Sequence, residues 1–213
     1  MKFALHRPTT VAALVLVGAS VLSGCLPLVV GGAVMGGLVA TDRRTTGTVV
    51  EDEGIELRTA NRIREALGER VHINITSYNR QVLITGEAPS EQDKQTVARI
   101  ATEVENVRNV VNEVGVMGVS TLTQRSNDTA VTVKAKLSLL DARDVFGNAF
   151  KLTTERGTTY IMGRVTPREG QRATDIIAGV PGVQRVVRLL ELISEDELAR
   201  LQPKPAAPSP SRP

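Results

Sequence analysis

The chain has 213 residues, with 26 Lys and Arg against 23 Asp and Glu, no tryptophan, two tyrosines, three phenylalanines and one cysteine. Any core must be aliphatic, and no intrachain disulfide can form. The net charge of +3 excludes a polybasic, general nucleic-acid binder. In chain order, Lys2 and Arg7 come first, then an uncharged apolar run from Val11 to Val21, then small residues before Cys25. A basic start, an apolar middle and small residues at a cut site predict a secretory signal over residues 1–24. Its removal takes two cations and no acid, leaving 189 residues at +1, enough for one or two domains. An ordinary signal peptide, or a buried structural cysteine, is the competing reading.

Leu22-Ser23-Gly24-Cys25 resembles the lipobox of bacterial lipoproteins at all four positions. The resemblance implies that the Cys25 sulfur takes a diacylglyceryl group, that cleavage follows, and that the new amine is then acylated with a chain such as palmitate. Each buried CH2 is worth about 0.8 kcal/mol, and one chain holds only marginally, so two or three make a stable anchor. Leu26 is not the aspartate that commonly retains such proteins at the inner membrane. The resemblance therefore implies an outer-membrane anchor with the domains facing the periplasm.

Residues 26–40 are apolar, with four glycines and a proline, and fall short of the ~20 residues of a spanning helix. They read as a flexible tether; uncleaved, residues 9–41 would offer an inner-membrane anchor instead. Gly32 and Gly36 make a GxxxG, a weak signal on its own. Thr41 to Gly54 is polar, with Asp42, Arg43, Arg44 and the run Glu51-Asp52-Glu53, and reads as a linker.

The remaining chain repeats. Ile75-Thr76-Ser77 through Gly86 returns, shifted by 77, as Leu152-Thr153-Thr154 through Gly163. Each copy has two β-rich runs around a polar turn, Asn79-Arg80 or Arg156-Gly157, which predicts a hairpin. Gly86 and Gly163 read as structural. A helix follows each hairpin. Thr166-Pro167-Arg168-Glu169 is a capping box, and Ser90 to Asp93 is its weaker counterpart. Val97, Ile100, Ala101 and Val104 have helical spacing, as do Ala173, Ile176, Ile177 and Val180. Valine-rich strands, 107–116 and 183–193, close the copies.

A helix also precedes each hairpin. In the first copy Leu57, Ala60, Ile63 and Leu67 are predicted to share a face. In the second, Asn127-Asp128-Thr129 is the expected cap of a helix over 130–140. That stretch also alternates like a strand, and the first copy decides for a helix. Two helical stripes remain open, Val131-Ala135-Leu139 and Val133-Leu137-Leu140.

This αββαβ unit, with its central glycine and the endings Val104-Glu105-Asn106-Val107 and Val180-Pro181-Gly182-Val183, resembles the BON domain. The resemblance implies an α+β chain of two tandem BON domains, 55–118 and 126–194, each a three-stranded mixed sheet on two helices. Residues 25–54 then hold the lipidated cysteine and tether. Residues 202–213, with five of the ten prolines, read as a disordered tail.

Catalysis has little to stand on. His72 is the only histidine after cleavage, and a Ser-His-Asp centre would have to be built around it. No Cys/His cluster has metal-ligand spacing, and no cofactor is called for. Gly115-Val116-Met117-Gly118 is a GxxG, but it follows a predicted strand rather than forming an RNA-clamping loop. Charge is more informative. Residues 55–116 sum to −1 and residues 127–193 to +3. Lys134 and Lys136 lie among apolar residues, which suits an anionic membrane surface. A core-facing helix with solvated lysines is the alternative.

Two BON domains behind a lipobox are similar to a family of outer-membrane lipoproteins. The resemblance implies a non-enzymatic protein whose second domain binds phosphatidylglycerol and cardiolipin through Lys134, Lys136, Leu139 and Leu140. It also implies enrichment at the division site, a role in outer-membrane integrity and links to the β-barrel assembly machinery, with no nucleic-acid partner. Ala130 stands where a member of that family has tryptophan, so an interfacial anchor is missing. Phe146 and Phe150 are candidates to compensate, Phe150 being equally suited to the core. The other functional class is a protein-interaction scaffold for envelope assembly, touching membrane only through Cys25.

Overall fold

A computed structural model describes residues 42–201. The signal, Cys25, the tether to residue 41 and the tail from 202 lie outside them. Each copy runs helix, strand, strand, helix, strand. In the first, α1 (Thr46–Leu67) precedes β1 (His72–Tyr78), β2 (Gln81–Ala88), α2 (Glu91–Thr102), β3 (Asn109–Asn112) and the short β4 (Gly115–Val116). In the second, α3 (Leu122–Asp141) precedes β5 (Phe150–Glu155), β6 (Thr158–Val165), α4 (Pro167–Ala178) and β7 (Arg185–Leu192). A short helix not foreseen in the sequence, α5 (Glu195–Leu201), follows.

The topology is the same twice. β1 and β5 pair antiparallel with β2 and β6, and the third strand returns parallel to the middle one. A parallel return needs a crossover, and α2 and α4 supply it. The expected strand over 107–116 is split: β3 and β4 both pair with β2, and Val114 between them turns into the core.

Both hairpins turn on two residues of positive φ, Asn79 (51°) with Arg80 (65°), and Arg156 (50°) with Gly157 (72°). Such turns match the twist of the flanking strands but suit arginine poorly. A carboxylate from the preceding helix compensates in each copy. Asp52 accepts the backbone N–H of Asn79 and of Arg80, both at 2.7 Å. Asp128 accepts those of Arg156 at 2.9 Å and Gly157 at 3.0 Å. Gly86 is required where it stands: φ is 111°, and a Cβ there would lie 2.0 Å from the His72 carbonyl oxygen.

These aspartates correct two sequence readings. Asp52 is 1% exposed, so the polar stretch read as linker holds a buried carboxylate between half-buried Glu51 and exposed Glu53. The helix starts at Thr46, capped by Thr45, inside the stretch read as linker. Asp128 lies within α3 rather than at its start; Thr121 is the N-cap, in a capping box with Gln124. The α1 face is also rotated. Ile55, Thr59, Ile63 and Leu67 point inward, while Leu57 is exposed. The predicted faces of α2 and α4 and the Thr166 capping box are as expected.

Each sheet packs one face on its own helices. Ile55, Ile63, Val82, Ile84, Val97 and Val114 centre the first core. Leu139, Phe150, Ile161, Val165, Ala173 and Ile177 centre the second. The opposite faces meet each other through Tyr78, Leu83, Tyr160 and Met162. This is why every residue from Val82 to Ala88 is buried: β2 has no solvent face. Among the described residues no helix is long and apolar enough to cross a membrane.

Candidate functional site

The lipid-facing residues expected from sequence sit on α3, and the helix sorts them. Val131, Ala135 and Leu139 form its buried stripe. Leu139 is fully buried in the second core, so it cannot meet a membrane while the domain is folded; this corrects its assignment. Lys136 is half-buried, and its Nζ donates to the Gly147 carbonyl at 2.9 Å and the Phe150 carbonyl at 2.8 Å. Burial pushes its ammonium pKa down. It ties α3 to the start of β5 and is not a free cation.

Lys134 and Leu140 do face outward. Beside them are Val133 and Leu137, about half exposed, which the sequence had placed on one of two possible stripes. Positions 133, 137 and 140 follow the i, i+4, i+7 spacing of one helix face. Phe146, 42% exposed, lies in the loop after α3, while Phe150 is a core residue. Among the described residues neither Lys134 nor Arg143 enters an ion pair, whereas Arg172 is held by Asp144 at 2.6 Å.

The chain reaches this corner through Asp42-Arg43-Arg44, which is a strap rather than a loose linker. Arg43 grips Glu169 with two bonds, Nη1 to Oε2 at 2.8 Å and Nη2 to Oε1 at 2.7 Å. It also donates to the Arg164 carbonyl at 3.0 Å, and its guanidinium carbon lies 5.8 Å from the Phe146 ring. Burial alone would raise the Glu169 carboxyl, but the Arg43 guanidinium and the Thr166 backbone N–H hold it below its ordinary value. Arg44 turns to the first domain. It pairs with Asp42 at 2.7 Å and Asp52 at 2.8 Å and stacks 4.2 Å from the Tyr78 ring. Burial pushes the Tyr78 hydroxyl up to about 12.

The seam between the sheets is rimmed by polar contacts of matching kind. Asn74 donates to Glu155 at 2.8 Å. Lys151, the repeat counterpart of Asn74, donates to Glu56 at 2.5 Å and to the Ser77 carbonyl at 3.1 Å. Arg156 pairs with Glu87 at 3.0 Å, and Arg156's counterpart Asn79 donates to Glu191 at 2.5 Å. The donor positions thus recur between the copies, Asn74 with Lys151 and Asn79 with Arg156, while their acceptors differ.

One end of this seam gathers residues the sequence keeps apart. His72 and Glu87 are opposite one another on β1 and β2, and Glu155 arrives from β5. A ring nitrogen and one oxygen from each carboxylate lie within 4.8 Å of one another. Glu87 is fully buried and Glu155 is 8% exposed. Burial raises the Glu155 carboxyl, as do the Glu87 and Asp128 carboxylates, against the Asn74 bond. Burial lowers the His72 imidazole, with Arg125 adding to the effect. Ser120 donates its hydroxyl to Glu87 at 3.1 Å, not to His72, so the serine arrangement of a hydrolase is not assembled here.

The BON domain matches residues 55–118 and again 127–194. Outer membrane lipoprotein DolP of Haemophilus influenzae is 32% identical over 182 residues, covering 84% of this chain and 94% of that protein. The 21 kDa hemolysin of Actinobacillus pleuropneumoniae is 30% identical over 154 residues, covering 71% and 79%. Among solved structures, CdsD, a structural protein of the type III secretion system of Chlamydia trachomatis, covers 72% of this chain and 96% of its own. It is 11% identical with a TM-score of 0.29, too distant to bear on fold or function.

Proposed function

The chain belongs to the BON domain family, with two such domains, and on that premise we propose that it is a non-enzymatic outer-membrane lipoprotein. It is anchored by Cys25, faces the periplasm, and binds anionic phospholipid through α3 of its second domain in support of outer-membrane integrity. The carrying observation is the exposed stripe Val133-Leu137-Leu140, with Lys134 beside it in no ion pair among the described residues. An apolar stripe enters the headgroup boundary, and each cation near an anionic surface adds about 1 kcal/mol. The strap supports the same reading. Arg43 brings the incoming chain alongside Phe146, just past the end of this helix. An anchor upstream would then hold α3 near the lipid it binds.

The test is co-sedimentation of residues 41–201, without lipid anchor or tether, with vesicles of defined composition. Pelleting with phosphatidylglycerol or cardiolipin but not neutral lipid, and release by salt, is the expected result. Lys134→Glu with Leu137→Gln is expected to abolish pelleting and leave the melting temperature unchanged. Lys136 and Leu139 are poor probes, because changing either disturbs the fold.

A second reading rests on a different observation. The connector between the domains exposes Val116, Met117, Val119 and Leu122. Such a run suits a protein partner, and for an envelope scaffold the β-barrel assembly machinery is the partner to test. If residues 41–201 pellet with no vesicle, the anchor supplies the only membrane contact. A single dominant crosslink from this connector in cells would then favour the scaffold.

A further inference from the structure

We propose that His72, Glu87 and Glu155 form a site for one divalent transition-metal ion, zinc by preference, that staples the two domains together. The three donors are brought together by the fold alone, two by the β1–β2 register and the third by the packing of sheet on sheet. Their donor atoms lie within 4.8 Å of one another, against the roughly 3.3 Å between ligands of a tetrahedral zinc with bonds of about 2.0 Å, so a small side-chain shift closes them on one ion. One imidazole and two carboxylates, with water completing four-coordination, is an open nitrogen–oxygen site of the kind zinc accepts.

The surroundings are those of a built site. Metal-binding carboxylates are characteristically oriented by further hydrogen bonds. Asn74 holds Glu155, while the Ser120 backbone N–H and hydroxyl and the Arg156 guanidinium hold Glu87. Thr85, directly across the strand pair from Asn74 and two residues from Glu87, is 1% exposed, and its hydroxyl has no partner among the described residues. An unpartnered buried hydroxyl on this face is what a metal-bound water would satisfy. Two buried carboxylates facing one another favour a cation between them. Arg156 and Arg125 are the competing charges. Arg156 is partly exposed and occupies one oxygen of Glu87, while Arg125 is spent on Ser120.

The test is calorimetric titration of the mature, lipidated, tag-free protein in detergent with zinc chloride, paralleled by cobalt(II) absorption spectroscopy. One ion per chain is expected, with a cobalt d–d spectrum of nitrogen–oxygen coordination. His72→Ala and Glu155→Gln should each weaken binding on the order of tenfold or more. Their metal-free melting temperatures serve as the folding control. Absence of binding, or binding unchanged in both folded variants, overturns the proposal.

Discussion

The two leading helices, α1 and α3, occupy the same place in the repeat and differ on the face turned to water. Shifted by 76, their buried positions correspond: Ile55 with Val131, Thr59 with Ala135, Ile63 with Leu139, and the latching Asp52 with Asp128. Their outer faces do not. Asn61 and Arg64 in α1 stand where α3 has Leu137 and Leu140. Arg58, the counterpart of Lys134, is paired with Glu51 at 2.6 Å, and the next cation, Arg62, with Glu105 at 2.9 Å. Both helices expose one apolar residue at the same place, Leu57 and Val133, but α3 adds Leu137 and Leu140, and its Lys134 enters no ion pair among the described residues. The difference lies where packing makes no demand, and it is the ground on which the second copy, not the first, is proposed to meet the membrane.

The latches test how deep the likeness goes. Asp52→Ala removes two turn bonds and the bond from the Ser77 hydroxyl, and leaves buried Arg44 without its inner partner. Breaking a buried pair from one side costs about 3–5 kcal/mol. Asp128 holds two turn bonds in a more open setting, so Asp128→Ala should cost about 1–2 kcal/mol. Denaturant unfolding of both variants checks this. Equal losses would mean that the strap adds nothing to the first latch.

The strap gives the next largest effect. Arg43→Ala leaves Glu169, 4% exposed, without its cation, for an expected loss of about 2–3 kcal/mol. The Glu169 carboxyl is held below its ordinary 4.5 in the folded protein. A depressed carboxyl stabilises above the unfolded value and loses that contribution as pH falls through the folded one. The native chain should therefore weaken as pH drops below about 4.5, and Arg43→Ala should flatten that slope. Melting temperature against pH reads it directly.

Exchanging the outer faces comes third. Leu137→Asn with Leu140→Arg gives α3 the surface of α1. It should cut vesicle binding about tenfold, equivalent to 1.4 kcal/mol, with stability nearly unchanged. Retained binding would move the lipid contact off this helix.

What the sequence made legible follows from where patterns are unambiguous. The faces of α2 and α4 were readable because polar residues flank their apolar positions cleanly. The α1 start was hidden because its inward residue near that end is Asp52, a carboxylate that looks solvated until the turn it holds is seen. In α3, residues 131–140 are apolar at nearly every second position, so two stripes fitted equally. Only packing against β5 and α4 selected Leu139 for the core and Leu137 for the surface. The seam was invisible for a related reason. A strand buried on both faces shows no alternation, so nothing in β2 declared a second partner. The gathering of His72, Glu87 and Glu155 depends on that seam and has no local signature.

The smallest expected effect sharpens the comparison from the side of gain. Ala130 is exposed and lies one turn before Val133 and Lys134 on the proposed contact face. Its counterpart in α1 is Gly54, where a Cβ would meet the Arg58 Nη1 at 2.9 Å. The first copy thus folds a paired arginine over this spot, while the second leaves it open. Ala130→Trp adds a ring suited to the membrane interface without entering the core. Vesicle binding should rise several-fold, by less than about 1.4 kcal/mol, with the melting temperature unmoved. If the contact face is instead the connector at Val116 to Leu122, the same substitution leaves vesicle binding as it was. A change of one exposed residue therefore separates a membrane-reading helix from a protein-binding connector.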